Sequence, residues 1–132
     1  MSLKTLIPPT ARNGVNQIVG TPIALDAEMT SDGKPARAVT VGLQLNTFDN
    51  IGAADVDGTW AILGSCKPAG AQAGEVVDIT ANFVTPVIVP VDHTVAATRN
   101  QFVQADVALG HIWAVFTPSA GAKKVSAYGR IV

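Results

Sequence analysis

Charged side chains are scarce in this sequence. Nine lysines and arginines and ten aspartates and glutamates make up 14% of its 132 residues, against about 25% in an ordinary soluble domain. The formal net charge is -1, so neither sign of charge favours nucleic acid or an acidic substrate as a partner. Because the cores of protein interfaces are depleted in lysine and glutamate, the deficit predicts that other subunits cover much of the surface.

Side chains that bind metals or undergo redox chemistry are also few. The single cysteine, Cys66, excludes an internal disulfide and any zinc site built from several cysteines. We interpret it as a buried or half-buried structural thiol, since no histidine beside it in the sequence activates it. His93 and His111 are too scattered to indicate a metal centre. We therefore expect no metal, no cofactor and no catalytic residues.

Long apolar runs are absent as well. No stretch approaches the roughly 18 apolar residues of a membrane-spanning helix, and the apolar patch at Leu6-Ile7 ends at Pro8-Pro9. That patch is shorter than the apolar core of a signal peptide, about 7–15 residues, so we expect no export by that route. Aromatic residues are 5% of the chain, too few for a platform that stacks single-stranded nucleic acid. We expect neither a membrane nor a nucleic-acid partner.

What the sequence does contain is alternation of apolar and polar residues. In residues 36–46, the valines and leucines at odd positions share one face, and Thr40, Gly42, Gln44 and Asn46 share the other. A period of two is typical of a half-buried strand. The same pattern, or a short β-rich apolar run, predicts further strands over residues 59–64, 75–80, 101–109, 111–117 and 124–132. Pro86 predicts an edge strand or a break in residues 83–90.

Turn-forming residues separate these runs at short intervals. Residues 31–35, 67–70 and 118–121 combine glycine with proline, and Leu109-Gly110 joins two strands so closely that a hairpin is expected. Short helical turns are allowed only in residues 51–56 and 95–100. The sequence therefore predicts an all-β protein, an antiparallel β-sandwich or β-barrel. Residues 15–132 form its single domain, and residues 1–14 form an extended N-terminal arm.

One short motif points to catalysis. The sequence Asp55-Val56-Asp57-Gly58-Thr59 resembles the nucleophile motif of haloacid-dehalogenase-type phosphatases. That chemistry requires a parallel strand followed by the N-terminus of a helix. Here turn-forming residues precede the motif, and the strand-like TWAILG follows it. We interpret the motif as a turn, and we expect the protein not to be an enzyme.

The same region offers a weaker group of candidate ligands. Asp49, Asn50, Asp55, Asp57 and Trp60 are the only local cluster of acidic, amide and aromatic residues. An EF-hand is excluded, because Ala53 and Gly64 occupy its first and last ligand positions. A looser calcium site or a glycan-binding patch remains an alternative for this cluster.

The N-terminal segment is a candidate interface. Leu3, Leu6 and Ile7 are apolar, and Pro8 and Pro9 stiffen the chain that follows them into an extended conformation. We predict that this arm lies across a neighbouring subunit and buries its three aliphatic side chains there. The alternative is a frayed terminal tail.

Composition and layout together resemble a known class of protein. A low-charge β protein rich in alanine, valine, threonine and glycine, with an extended N-terminus, is similar to the head-decoration (cement) proteins of tailed bacteriophages. The resemblance covers the whole chain and includes no diagnostic motif. It implies an oligomeric β-barrel or β-sandwich in the virion, assembled in the host cytoplasm, with other copies of itself and a major capsid protein as partners. No catalytic residues carry over.

Other functions stay open on the sequence. A small coat, tail-tube or spike component of a virion has the same composition. The antiparallel sandwich also occurs in carbohydrate-binding modules and adhesins, which present aromatic and Asp/Asn clusters in one concave patch.

Overall fold

The protein folds into strands along most of the chain. The computed structural model describes residues 3–13, 17–25, 39–50, 56–66, 73–84, 87, 90–92, 96–118 and 122–131. Its ten strands are β1 (Leu3–Asn13), β2 (Ile18–Val19), β3 (Ile23–Ala24), β4 (Val39–Asn50), β5 (Val56–Ser65), β6 (Val77–Asp78), β7 (Pro90–Asp92), β8 (Asn100–Val107), β9 (His111–Pro118) and β10 (Ala122–Ile131). One short helix, α1 (Ala96–Arg99), and two single 3-10 turns (Ala73–Glu75 and Thr80–Asn82) are the helical elements of the described part.

The strands form two antiparallel sheets. The first has the order β1-β10-β4-β8. The second has the order β2-β9-β5-β6. Two further short strands belong to it: β3 also pairs with β9, and β7 also pairs with β5. Every pairing is antiparallel. The predicted all-β sandwich is therefore confirmed.

The order of strands has the topology of a jelly roll. If the short strands β2 with β3 and β6 with β7 each count as one, eight strands remain. The first pairs with the eighth, the second with the seventh, the third with the sixth and the fourth with the fifth. The resulting ribbon is wound so that β10 also pairs with β4 and β9 with β5. Eight strands in two such sheets are the arrangement of jelly rolls.

The core lies between the two sheets and is built by alternation. In β8 the burial pattern alternates strictly, with Val103, Ala105 and Val107 inward. In β4 the odd positions from Val39 to Leu45 are likewise buried. The largest buried side chain is Trp60 of the second sheet. Its ring centroid lies 4.9 Å from that of Phe116, and the two ring planes make an angle of 59°. The tilted geometry is one that aromatic pairs prefer.

The strands predicted over residues 59–64, 101–109 and 111–117, and the described parts of those predicted over 36–46 and 124–132, are confirmed within a few residues at their ends. In the stretch predicted over 75–80, only Val77–Asp78 is strand, between two 3-10 turns.

One predicted hairpin is wrong. Leu109-Gly110 connects β8 of the first sheet to β9 of the second, so the chain crosses between the sheets there. Backbone hydrogen bonds hold the crossing. The amide of Gly110 donates to Ser65 O (2.9 Å), and the amide of Leu25 donates to Gly110 O (2.7 Å). Both bonds are made to the second sheet, which directs the chain away from β8.

Most of the other predicted turns, residues 31–35, 51–55, 67–70 and 119–121, lie outside the described residues. The strands before and after 119–121, β9 and β10, lie in different sheets. Helix α1 falls within the stretch where a helical turn was allowed. Pro86, where an edge strand or a break was predicted, lies outside the described residues; a bend at Phe83 and Val84 comes before it, and β7 begins at Pro90.

The N-terminal segment is a strand of the sandwich. From Leu3 to Asn13 it pairs with β10 and forms one edge of the first sheet. Register shifts between Thr5 and Ile7 and between Ile7 and Thr10 accommodate the two prolines, which an edge strand tolerates because its outer side needs no donors. The expected separate arm over residues 1–14 is therefore corrected: its described residues belong to the β domain.

Candidate interaction surface

The solvent-facing side of the four-stranded sheet is the most distinctive surface of the protein, and we call it the outer face. Alternation directs the even-numbered residues of β8, those of β4 from Thr40 to Asn46 and those of β10 from Ser126 to Arg130 away from the core, together with Leu3 and Thr5 of β1. Its central residues are Leu3, Thr5, Thr40, Gly42, Gln44, Phe102, Gln104, Asp106, Tyr128 and Arg130. The side chains of Leu3 and Phe102 are 61% and 64% exposed.

Strand register arranges these residues in rows that run across the sheet. One row contains Leu3, Arg130, Gly42 and Gln104, in the order of the four strands. The next row contains Thr5, Tyr128, Gln44 and Phe102. The aromatic and aliphatic side chains thus stand toward the two edges, and β4 between them carries a glycine and an amide.

A groove of about 310 Å³ follows from this arrangement. Gly42 and Gln44 form its floor, Phe102 stands on one side, and Leu3 and Tyr128 stand on the other. A methyl group on Gly42 would lie 2.9 Å from Cζ of Phe102, so the aromatic ring extends over the glycine. An aromatic side chain laid over a glycine of the neighbouring strand shields that exposed backbone.

The polar groups of the outer face are mostly neutral and bonded to one another. The hydroxyl of Thr40 donates to Asp106 Oδ1 (2.6 Å), and the amide of Gln44 donates to Asn46 Oδ1 (3.3 Å). Asn46 in turn donates to Ser126 Oγ over 3.0 Å, in a pair that is buried. Among the central residues of the outer face, only Arg130 and Asp106 carry charge.

A second, smaller recess lies where the sandwich opens beside β8. It measures about 210 Å³, and Val77, Ile79, Asn82, Val107 and Leu109 are among the residues that line it. Val77 is 49% exposed there, and Leu109 packs against the core. Asp106 is also part of its lining, so the recess and the outer face meet at the β8 edge.

Of the candidate cluster of acidic, amide and aromatic residues, the structure describes only the side chain of Trp60. Trp60 is 1% exposed, so its ring cannot stack on a glycan. Asp49 and Asn50 end β4 and Asp57 belongs to β5, but their side chains and all of Asp55 lie outside the described part. No group of three histidine, cysteine, aspartate or glutamate side chains able to hold a metal occurs among the described residues.

The interpretation of the Asp57-Gly58 motif as a turn is wrong for its described residues. Val56 to Trp60 are part of β5, which pairs antiparallel with β9 and β7, with a register shift between Val56 and Gly58. Gly58 fits this position because a Cβ there would lie 2.4 Å from the buried ring of Phe116. The glycine therefore makes room for a core side chain. The phosphatase motif requires a parallel strand that leads into a helix. In contrast, β5 is antiparallel to each strand with which it pairs.

The remaining sequence candidates divide between surface and core. Cys66 is exposed and unpaired, which corrects its interpretation as a buried thiol. His111 is half-buried in β9, opposite Ser65. No helix of the described part is long and apolar enough to span a membrane.

Some of the interface residues predicted at the N-terminus are exposed and others are buried. Leu3, Pro8 and Pro9 are exposed, whereas Leu6 and Ile7 are 1% and 2% exposed and belong to the core of the same chain. Leu6 and Ile7 are therefore corrected from contact residues to core residues.

Phe102 and Tyr128 were not predicted as surface contact residues from the sequence. A signal for them existed, because each falls on the polar register of its strand, Phe102 beside Gln104 and Tyr128 beside Arg130. A large aromatic residue on the side that faces solvent is the informative exception in an alternating pattern.

No model of a known protein family matches the chain, and no curated protein matches it significantly.

Proposed function

We propose that this protein is a non-enzymatic structural component of a virion, a decoration (cement) protein that binds an assembled capsid shell. Its partners are other copies of itself and a major capsid protein. The observation that carries the proposal is the outer face, where Phe102 and Leu3 are exposed among neutral polar groups. Exposed apolar side chains grouped in a patch mark contact surfaces in soluble proteins, and few charges oppose their burial.

The topology supports a structural role at the level of fold. Jelly rolls occur in viral capsid proteins, and also in lectins and cupins. Fold alone does not define function, so the surface has to discriminate between these classes. The burial of Trp60 removes the one aromatic side chain that the sequence offered near Asp57 for a sugar. The exposed Phe102 and Leu3 lie on the opposite sheet, in a surface suited to protein contacts.

A second candidate function is that of a small coat protein that itself builds a shell. The jelly-roll winding favours it, because this winding is common among capsid domains. The two roles differ in what the isolated protein does. A coat protein closes into shells on its own, whereas a decoration protein needs a shell to bind.

The test is to express the full chain alone and together with the major capsid protein of the same source. Native mass spectrometry and electron microscopy then show what assembles. We expect small oligomers from the chain alone, and shells that carry the protein on their outside from the pair. Closed shells from the chain alone would instead identify a coat protein. A protein that neither binds shells nor forms them, but binds a glycan array, would refute the virion proposal.

A further inference from the structure

We infer that the free edge of β8 takes up an extended segment of another protein, which adds to the first sheet as a parallel strand. This goes beyond the proposed function, because it holds for any protein that carries such a segment. The partner is defined by the backbone groups that β8 directs to the edge and by the exposed side chains beside them.

Strand β8 is an edge strand without protection. It ends the first sheet, whose order is β1-β10-β4-β8. Proteins usually protect their sheet edges with proline, lysine or short strands. At the other edge, Pro8 and Pro9 of β1 lack N–H groups. Strand β8 is eight residues long and contains neither proline nor lysine, and its one charged side chain is that of Asp106. A strand of this kind is a template for pairing with another chain.

One hydrogen bond shows which backbone groups of β8 point to the edge. Gln104 pairs with Gly42 of β4, but its carbonyl accepts a hydrogen bond from the amide of Val84 (2.9 Å). In an antiparallel ladder the N–H and C=O of a residue point to the same side, and those of the next residue point to the opposite side. Gln104 and its alternate neighbours Phe102 and Asp106 therefore direct their backbone groups away from β4. Among the described residues, Val84 is the one backbone partner on that side of β8.

Four backbone groups are then available to an added strand, and they fit a parallel one. In a parallel pair, a partner residue donates to the carbonyl of one residue and accepts from the N–H two residues further along. One partner residue therefore bonds the carbonyl of Phe102 and the N–H of Gln104. The partner residue two positions earlier bonds the carbonyl of Asn100 and the N–H of Phe102. The carbonyl of Gln104, which Val84 occupies, is not needed.

An antiparallel partner fits less well. It needs both groups of each residue with which it exchanges hydrogen bonds, and Gln104 offers only its N–H because Val84 holds its carbonyl. Pairing of β8 with the β8 of a second copy about a two-fold axis is antiparallel. The parallel geometry therefore favours a segment of another protein, held as sheet edges hold extended peptides.

The exposed side chains of β8 indicate the chemistry of that segment. On the outer face, the added strand places one side chain beside Phe102, which is 64% exposed, and the next outward one beside Gln104. An apolar residue beside the ring of Phe102 buries part of it. A lysine or arginine beside Gln104 lies within reach of Asp106, which is two residues further along β8, a step of about 6.8 Å. We therefore expect an apolar residue followed two positions later by a basic one.

The first experiment adds a synthetic peptide to the full chain. The probe is an acetylated and amidated hexapeptide, Thr-Val-Leu-Val-Lys-Thr, and binding is followed by the backbone amide NMR signals of the isotopically labelled protein. We expect the signals of Phe102 and Gln104 to shift, with a dissociation constant of about 1 mM or below.

Two N-methylated peptides serve as controls for each other. In the parallel register, the N–H of the second valine donates to the carbonyl of Phe102, whereas the N–H of the lysine points away from β8. Methylation of the valine nitrogen should weaken binding by about tenfold or more. Methylation of the lysine backbone nitrogen should change binding by less than about twofold.

A pair of variants tests the same contact from the side of the protein. Gln104→Pro removes an N–H from the edge but no hydrogen bond to β4, and an edge strand tolerates proline at such a position. Gln104→Ala keeps the N–H. We expect the first to weaken peptide binding by about tenfold and the second to leave it within about twofold. Circular dichroism shows that the variants are folded, and the N-methylated peptides test the contact without any substitution.

Charge exchange tests the side chains of the partner. A peptide with glutamate in place of lysine should bind the protein about threefold more weakly at low salt. Asp106→Lys should reverse that preference, because it reverses the charge that the peptide meets.

The inference is overturned if the peptide leaves the signals of Phe102 and Gln104 unchanged at about 5 mM. It is equally overturned if both N-methylated peptides bind alike, or if Gln104→Ala weakens binding as much as Gln104→Pro. A dimer of the chain alone that Gln104→Pro dissociates would identify a second copy as the occupant and would also overturn it. Peptide binding by a protein that binds no capsid shell refutes the decoration role alone, and shell binding without peptide binding refutes the edge contact alone.

Discussion

The ring of Phe102 covers Gly42 of the neighbouring strand so closely that a Cβ on the glycine would lie 2.9 Å from Cζ. Gly58 is in a similar relation to Phe116, with a distance of 2.4 Å from Cβ to Cζ. The two glycines differ in how freely the neighbouring phenylalanine ring can move. Phe102 is 64% exposed, whereas Phe116 is fully buried.

Replacing these glycines by alanine should therefore have unequal effects. Gly42→Ala is expected to change the free energy of unfolding by less than about 1 kcal/mol, because the exposed ring can rotate away. Gly58→Ala is expected to cost about 1–3 kcal/mol or more, since it overpacks a core whose neighbours include the carbonyl of Thr117 at 2.7 Å. Urea denaturation of both variants measures the difference. Equal losses would show that Phe116 is free to move.

Thr47 offers a stabilising substitution. It is 3% exposed, and its hydroxyl has no hydrogen-bond partner among the residues that the structure describes. A buried polar group without a partner costs about 1–3 kcal/mol, and valine has nearly the same shape. Thr47→Val is therefore expected to raise the free energy of unfolding by about 1 kcal/mol, measured by denaturation.

Thr80 supplies the matched control for that substitution. Its hydroxyl accepts a hydrogen bond from the amide of Ile62 (2.9 Å) and donates one to Asp78 Oδ1 (2.5 Å). Thr80→Val should destabilise by about 1–3 kcal/mol, because it leaves the Ile62 amide without that acceptor. If both valine variants change stability in the same direction, the assignment of the hydroxyl environments is wrong.

Truncation of the N-terminus should destabilise the domain. Residues 1–10 include Leu6 and Ile7, whose burial contributes about 1.5–3 kcal/mol each, and most of the strand that pairs with β10. Since a domain is stable by only about 5–15 kcal/mol, we expect the truncated chain to melt at a much lower temperature or to unfold. Leu3→Ser is the control, because that side chain is exposed. An unchanged melting temperature after truncation would restore the hypothesis of a separate arm.

Cys66 should be modified without unfolding. The thiol is free and exposed directly after β5, so an aromatic disulfide reagent should label it in the native protein as completely as in denaturant. Intact mass spectrometry measures the extent of labelling. Labelling that requires denaturant would show that the thiol is shielded by an oligomeric contact near Cys66.

The sequence by itself determined most of the strands. In β4, β8 and β10 the period of two fixes which side chains face the core, because successive residues of a strand point to opposite sides. The sequence also showed that charged residues are scarce, and the outer face has few of them as well. These are local properties, and they depend on no strand partner.

Only the tertiary structure decided which strands are neighbours. Alternation in β8 is the same whether the next strand pairs with it or crosses to the other sheet, so Leu109-Gly110 resembled a hairpin. The prolines of β1 concealed its pairing with β10, because register shifts at an edge strand absorb them. Gly58 suggested a turn locally, but the ring of Phe116 requires it, and that ring is about sixty residues away in the chain. The groove between Phe102 and Tyr128 likewise exists only because β8, β4 and β10 lie side by side. The positions of these three strands along the sequence do not indicate that order.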